Sequence, residues 1–379
     1  METLKIAFYT DSYLPSIDGV VTSIIETRRE LERRGHEVYI FAAGNKQTEK
    51  LAKKDHNLIV LKGIKFRRYP QYTFALSSDY SDYIRQIKPD IIHAHTPFSA
   101  GMFALRAKRS TGAGMVSTFH TYIFSESALA GYLGNSKLAV RLAKSAMLKY
   151  TKWFYQKSDA VIAPTRFVKN ILSDNGIGKV HVIPTGVDFS KFKRINRDTA
   201  RRKLGIKKTD RVILYFGRVS HEKNLDFLVR AASVVCDDRT KLVLAGSGPY
   251  LQHLKRVSKL LNNKSVKFPG FIPDGLKSYY YSAADMFCNP SLFETQSLVS
   301  LLAAYYHVPL LIPDKTAQVE LLDYSKCGIK FSPDSIWDLA GKVEEVYSKR
   351  KSFEFDGVVR NFDIRNTADR LVSLYRKVI

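Results

Sequence analysis

The sequence predicts an α/β protein of two doubly wound domains, each a mainly parallel sheet covered by helices. Three observations predict it. Short apolar runs alternate with stretches of helical spacing from the first residues onward. The alternation breaks at the loop-rich "VIPTGVDFSKFKRINRD" and then starts again. The length, 379 residues, suffices for two cores of ordinary size.

The elements justify this in order. "LKIAFYT" (Leu4–Thr10) is an apolar run that ends in the polar loop "DSYLPSIDG", and "VVTSIIETRRELERRG" then carries helical spacing to a stop at Gly35. "HEVYIFAA" and "PDIIHAHTPF" read as strands, "AGMFALRAKRSTG" as the helix that follows, and "AGMVSTFHT" as the next strand. After a linker near Gly186 to Arg197, "RVILYFGRVS" reads as a strand and "NLDFLVRAASVV" as a helix. "KLVLAGSGP", "VKFPGF", "DMFCNPS" and "VPLLIP" are four further strands. The reading is an N-terminal domain over 1–190, a C-terminal domain over 191–360, and a C-terminal helix over 361–379. Periodicity leaves open where that helix docks, the N-terminal domain being one option. Two such domains across a cleft would take ligands at the carboxyl ends of their strands.

Composition narrows the function classes. At 45% hydrophobic and 25% charged the chain is globular rather than disordered. Cys236, Cys288 and Cys327 are scattered without a CxxC spacing, and Met1–Pro15 lacks the apolar centre of a signal peptide, so a cytoplasmic address is expected. No apolar stretch reaches the ~18 residues of a membrane span, which leaves peripheral contact as the only expected membrane role. The net charge of +24 favours anionic partners but is spread over both halves and names no face. No DNA- or RNA-binding motif accompanies it, so specific nucleic-acid binding is not expected. The oligomeric state is left open.

Eight stretches taken together resemble one family. They are "DGVVTSI" (Asp18–Ile24), "AHTPFSAG" (Ala94–Gly101), "TFHTY" (Thr118–Tyr122), "APTRFVKNIL" (Ala163–Leu172) and "VIPTGVD" (Val182–Asp188), then "GRVSHEKNLDFLV" (Gly217–Val229), "LAGSGP" (Leu244–Pro249) and "PSLFETQSLVSLLAA" (Pro290–Ala304). In this order they are similar to the retaining, nucleotide-sugar-dependent glycosyltransferases of the GT-B fold, glycosyltransferase family 4 (group 1). The resemblance implies a hexosyltransferase whose C-terminal domain holds a UDP- or GDP-linked sugar as donor substrate and whose N-terminal domain holds the acceptor. It implies transfer with retention at the anomeric carbon and no further cofactor. No metal is expected, and "HAH" (His93–His95) is read as structural because it stands at a strand end.

A departing nucleotide diphosphate gathers negative charge, so its site needs cations aimed at it. Arg218 and Lys223, five apart in a strand-to-helix loop and in the family's "GRxxxxK" setting, are the candidates. Gly19, read as part of the first βα loop, is a candidate for close approach of backbone to donor. His120 in "TFHT" follows an apolar strand; the matching family histidine faces the donor sugar and the reaction centre. Glu294, read as the start of a helix, matches the family's first glutamate, which contacts the sugar, with Ser297 and Leu298 beside it on the donor side. The second glutamate, eight residues on and about 12 Å along a helix, suits ribose hydroxyls; here it is Leu302. "IPDKTAQVELL" also lacks the paired glycines common in the family, and Gln318 or Glu320 is read as a substitute ribose contact.

The acceptor side is read from "SKLAVRLAKSAMLKYTKWFYQKSD" (Ser136–Asp159), a long helix in which Lys137, Arg141, Lys144, Lys149 and Lys152 interleave with large apolar residues. Such a face suits an anionic bilayer surface. "TFHTYIFSESALAGYL" with this helix is similar to the acceptor region of diacylglycerol and other lipid glucosyltransferases, departing from their "HTxYEDY" form at Ile123–Glu126. The expected partners are thus a nucleotide sugar, a lipid or glycan acceptor, and an anionic membrane surface. The competing reading is a non-catalytic partner subunit or glycan-binding module with a degenerate nucleotide site, favoured by Leu302 and the missing glycines.

Overall fold

The structure, a computed structural model, describes residues 2–16, 18–44, 46–65, 73–76, 80–122 and 136–379. The chain forms two compact units, Met1–Asp188 with Phe362–Ile379, and Phe189–Asn361.

Among the described residues, the first unit is built on an eight-stranded sheet in the order β4-β3-β2-β1-β5-β6-β7-β8. Its strands are β1 (Lys5–Thr10), β2 (Glu37–Gly44), β3 (Leu58–Lys65), β4 (Thr73–Ala75), β5 (Ile91–Ala94), β6 (Gly114–Thr118), β7 (Ala160–Ala163) and β8 (Val180–Val182). All neighbours are parallel except the edge pair β3–β4. β1 is central and almost wholly buried, as an apolar strand covered on both faces must be. It feeds the helix Gly19–Arg33, whose first turn is closed by Asp18: Oδ1 accepts from Val21 N at 2.9 Å. Val20, Val21, Ile24 and Leu31 of that helix turn inward at helical spacing and join Ile6, Phe8 and Val38 in the core.

The C-terminal helix Ile364–Val378 completes this same core with Ala368, Leu371, Val372, Leu374 and Tyr375. It is joined to the strand side by polar contacts as well: Tyr375 Oη lies 2.7 Å from His93 Nδ1, and Thr367 Oγ1 donates to the Pro184 carbonyl at 2.9 Å. Val187 forms a parallel bridge with Asp363, its N–H donating to Phe362 O at 2.8 Å while Ile364 N donates back to Val187 O at 3.1 Å.

The second unit carries six parallel strands in the order β11-β10-β9-β12-β13-β14. These are β9 (Arg211–Phe216), β10 (Thr240–Ala245), β11 (Val266–Gly270), β12 (Met286–Cys288), β13 (Leu310–Pro313) and β14 (Gly328–Phe331). The strand order reverses between β9 and β12, the topology that leaves a crevice beyond the strand ends. At the opposite, amino end of β12 the buried Asp285 gathers three arginines: Arg201 at 2.6 Å, Arg350 at 2.5 Å, and Arg197. Arg201 is itself buried and also donates to the carbonyls of Ala283, Lys207, Lys208 and Asp210.

Candidate functional site

At the carboxyl end of β9 the chain continues as Gly217–Arg218–Val219–Ser220 against the loop that follows β10. Gly217 N donates to Ala245 O at 3.0 Å, Val219 N to Ser247 O at 2.9 Å, and Tyr250 N to Val219 O at 3.2 Å. Two glycines make this abutment possible. Gly246 and Gly248 have φ of 152° and 158°, and a Cβ on them would stand 1.8 Å from Gly217 O and 2.1 Å from Val219 O. The buried Tyr215 hydroxyl donates to Arg218 O at 2.7 Å, so the backbone of Arg218 is held while its side chain stays half-exposed.

The two predicted cations are therefore well anchored, and each is paired with a carboxylate. Arg218 Nη2 donates to Glu222 Oε1 at 2.6 Å, and Lys223 Nζ donates to Glu294 Oε1 at 2.7 Å. Burial acts to raise the Glu222 carboxyl, but the Arg218 charge and the Ser220 hydroxyl hold it below its ordinary range. Lys223 closes a short 3-10 turn, His221–Lys223, and Asn224 at φ 53° redirects the chain into the helix Leu225–Val235. Glu222 is not among the candidates that the motif names, although its place four residues after Arg218 is the signal for such a pair.

Three placements correct the sequence reading. Glu294 does not begin a helix: it lies in the loop after β12, and the helix is Leu298–Tyr305 with Ser297 as its cap, accepting from Ser300 N at 3.3 Å. The polar, bent run Thr295–Ser297 competes with helix geometry until the cap is made. Ser297 is buried and its hydroxyl is already engaged, also receiving Asn289 Nδ2 at 3.0 Å; Leu298, the first helical residue, is half-buried. Gln318 cannot serve as a ribose contact. Its side chain is fully buried, Oε1 accepts from Asn289 Nδ2 at 3.0 Å and Ser300 Oγ at 2.9 Å, and Nε2 donates to Ser291 O at 3.1 Å and Asn289 O at 3.4 Å. That fills all four bonding positions of an amide. Glu320 is buried at the head of the helix Glu320–Tyr324. Leu302, at the position of the second glutamate, is half-buried within the helix Leu298–Tyr305.

In the first unit, His120 follows β6 and is partly exposed. Its Nε2 lies 3.1 Å from His95 Nδ1, and His95 is stacked between His120 and His93 with ring centroids 5.4 and 4.2 Å away. Desolvation by burial pushes His120 down to about 4 and His93 to about 3, so both are neutral at neutral pH. His95 is lowered too, and among the described residues its buried Nε2 has no hydrogen-bond partner. His93 is held by Tyr375 and Thr118, each at 2.7 Å. Among the described residues no group of three or more His, Cys, Asp or Glu side chains could hold a metal ion.

Gly19 is the first residue of its helix rather than part of the loop, and among the described residues a Cβ there would meet nothing within 4 Å. A residue overlooked in the sequence is Asp11, buried after β1. It accepts from Ala100 N at 2.8 Å, from Thr96 Oγ1 at 2.5 Å and from the Ser99 hydroxyl, fastening the start of the helix Ser99–Thr111.

The basic segment forms the helix Lys137–Tyr155, capped by Ser136. Lys137, Arg141, Lys149 and Lys152 are exposed and Lys144 is half-buried. Leu138, Leu142 and Trp153 are exposed at 70%, 63% and 41%, at spacings that set them along one side. Residues 123–135, which include the departure at Ile123–Glu126, lie outside the described residues. Among the described residues no helix is long and apolar enough to cross a membrane.

Residues 17–191 match Glycosyltransferase Family 4, and residues 196–354 match Glycosyl transferases group 1. Over 354 residues the chain is 32% identical to the alpha-monoglucosyldiacylglycerol synthase of Streptococcus pneumoniae, an alignment covering 90% of this chain and 78% of the relative. The chain belongs to the group 1 glycosyltransferases, glycosyltransferase family 4. A second alpha-monoglucosyldiacylglycerol synthase of the kind, from Acholeplasma laidlawii, is 26% identical over 345 residues, covering 87% of this chain and 85% of the relative. Among solved structures, Anabaena HepE in complex with UDP aligns with a TM-score of 0.76 at 17% identity, covering 99% of this chain and 100% of that one. Sucrose-phosphate synthase from Thermosynechococcus elongatus aligns with a TM-score of 0.76 at 17% identity, covering 99% and 98%. These two likenesses show the GT-B fold of this glycosyltransferase.

Proposed function

We propose that this glycosyltransferase moves a hexose from a UDP- or GDP-linked sugar to a membrane lipid, with retention at the anomeric carbon, on the cytoplasmic face of the membrane. The observation that carries the reading is the Lys223–Glu294 contact of 2.7 Å, with Arg218 on the neighbouring loop, beyond the carboxyl ends of β9 and β12. In this reading Arg218 and Lys223 stabilise the charge that develops on the departing diphosphate, the effect usually largest in such transfers. Glu294 hydrogen-bonds the donor sugar while orienting Lys223. His120, neutral at working pH, contributes as a hydrogen-bonding group rather than as a cation.

The lipid acceptor is supported by the two relatives named as alpha-monoglucosyldiacylglycerol synthases. It is supported also by the exposed leucines and tryptophan beside the cations of Lys137–Tyr155, the composition of a helix that lies on an anionic bilayer. The test is transfer from UDP-glucose or GDP-mannose to diacylglycerol in phosphatidylglycerol vesicles, with the product's anomeric configuration read by proton NMR. An α-linked glycolipid from an α-linked donor supports the reading; an inverted product, or a sugar passed only to water-soluble acceptors, overturns it.

A further inference from the structure

We infer that Asn289 and Gln318 are positioning residues of the donor site, acting through Glu294. The inference rests on the assignment of Glu294 above and deepens it. Asn289 follows β12, and Gln318 sits in the turn Ala317–Val319 after β13. They clasp one another beneath the loop that carries Glu294: Asn289 Nδ2 donates to Gln318 Oε1 at 3.0 Å and Gln318 Nε2 donates back to Asn289 O at 3.4 Å. The clasp reaches both ends of that loop. At its start, Gln318 Nε2 holds the Ser291 carbonyl at 3.1 Å while Asn289 Oδ1 accepts from Ser291 N at 3.3 Å. At its end, Asn289 Nδ2 reaches Ser297 Oγ at 3.0 Å, and Ser300 Oγ reaches Gln318 Oε1 at 2.9 Å. Asn289 Nδ2 also stands 3.5 Å from Glu294 Oε1, the atom that receives Lys223.

A buried amide is expensive unless satisfied, and a fully satisfied network specifies one geometry. Asn289, Ser297, Ser300 and Gln318 are all buried, so this loop is held by side-chain hydrogen bonds from below. A loop free to drift would carry the Glu294 carboxylate with it, and a misplacement near 1 Å costs about 100-fold in a positioned reaction.

The test uses the full chain with UDP-glucose and GDP-mannose as trial donors on diacylglycerol vesicles. Gln318→Met, of similar size without the amide, is expected to lower kcat by roughly 10- to 100-fold while donor KM shifts by less than about 3-fold. Introduced into a Glu294→Gln background, the same substitution should cost less than about 2-fold more, because both changes act on one group. Ser300→Ala, which removes one hydroxyl and with it the contacts to Gln318 Oε1 at 2.9 Å and Ser297 Oγ at 2.8 Å, serves if Gln318→Met does not fold, with an expected fall of about 2- to 10-fold that likewise vanishes in the Glu294→Gln background. Wild-type kcat in these variants, or losses that persist in full beside Glu294→Gln, overturns the inference and leaves the site standing. Wild-type activity of Glu294→Gln alone overturns the site assignment and the inference with it.

Discussion

Removing the lysine at the centre of the proposed donor site should change nucleotide affinity in a way that its partner can partly reverse. Lys223 is largely enclosed, with 22% of its side chain exposed, and Glu294 is more so at 12%, so water screens the pair weakly. A hydrogen bond to a charged group is worth roughly 1.5–3 kcal/mol, so Lys223→Met should weaken binding of the preferred nucleotide diphosphate about 10- to 150-fold. The loss has a second part. Without the cation at 2.7 Å, Glu294 keeps Asn289 Nδ2 at 3.5 Å, and its negative charge then faces the incoming phosphates. Lys223→Met/Glu294→Gln should therefore bind more tightly than Lys223→Met alone. Calorimetric titration with UDP, GDP, ADP and dTDP measures each variant directly. Unchanged affinity in Lys223→Met, or a double variant weaker than the single, would refute the reasoning.

Three further outcomes are expected. Asp285→Ala should destabilise the protein by about 3–5 kcal/mol in urea titration, because it leaves the buried Arg201 cation without its counter-charge; an unmoved midpoint would show that the four carbonyls suffice. His93 and His120 titrate at about 3 and about 4 when folded against 6.5 when unfolded, so below 6.5 the unfolded chain binds more protons and stability falls with pH towards 4. Melting temperatures across that window should fall less steeply in His95→Gln, whose native ring is also held neutral by burial, and an identical slope would assign the effect elsewhere. Lys149→Gln/Lys152→Gln should weaken binding to phosphatidylglycerol vesicles by about 2 kcal/mol, near 30-fold, at ~1 kcal/mol per charge; unchanged binding to those anionic vesicles would remove this helix from the membrane surface.

The long elements were legible because their periods were. The helix Gly19–Arg33 and β1 show their apolar spacing and their stops in the sequence itself. The short strands β7 and β14, four residues each, offered no period, since a strand buried on both faces or only briefly paired has no alternation to detect. Glu294 reads as helical in the sequence because the apolar run behind it is helical, and the bend at Thr295–Ser297 leaves little trace in composition. Arg218 and Lys223 stand out in the sequence by their motif, whereas their pairing with Glu222 and Glu294 depends on where a loop folds back. Gln318 looked available because a polar residue in a loop usually is. Only the fold reveals that its amide is spent on the chain's own carbonyls.

The bridge between Val187 and Asp363 also bears on the order in which the protein can be made. Residues 189–361 leave and return at that one point, so the second unit is an insertion in a domain begun before it and ended after it. On the ribosome the first unit lacks Ala368, Leu371, Val372, Leu374 and Tyr375 until the last stretch emerges, and its apolar face waits uncovered while the inserted unit already has its full complement of residues. The half of the molecule synthesised first is then the half that closes last, and a nascent chain stalled before residue 364 would present that open face to chaperones.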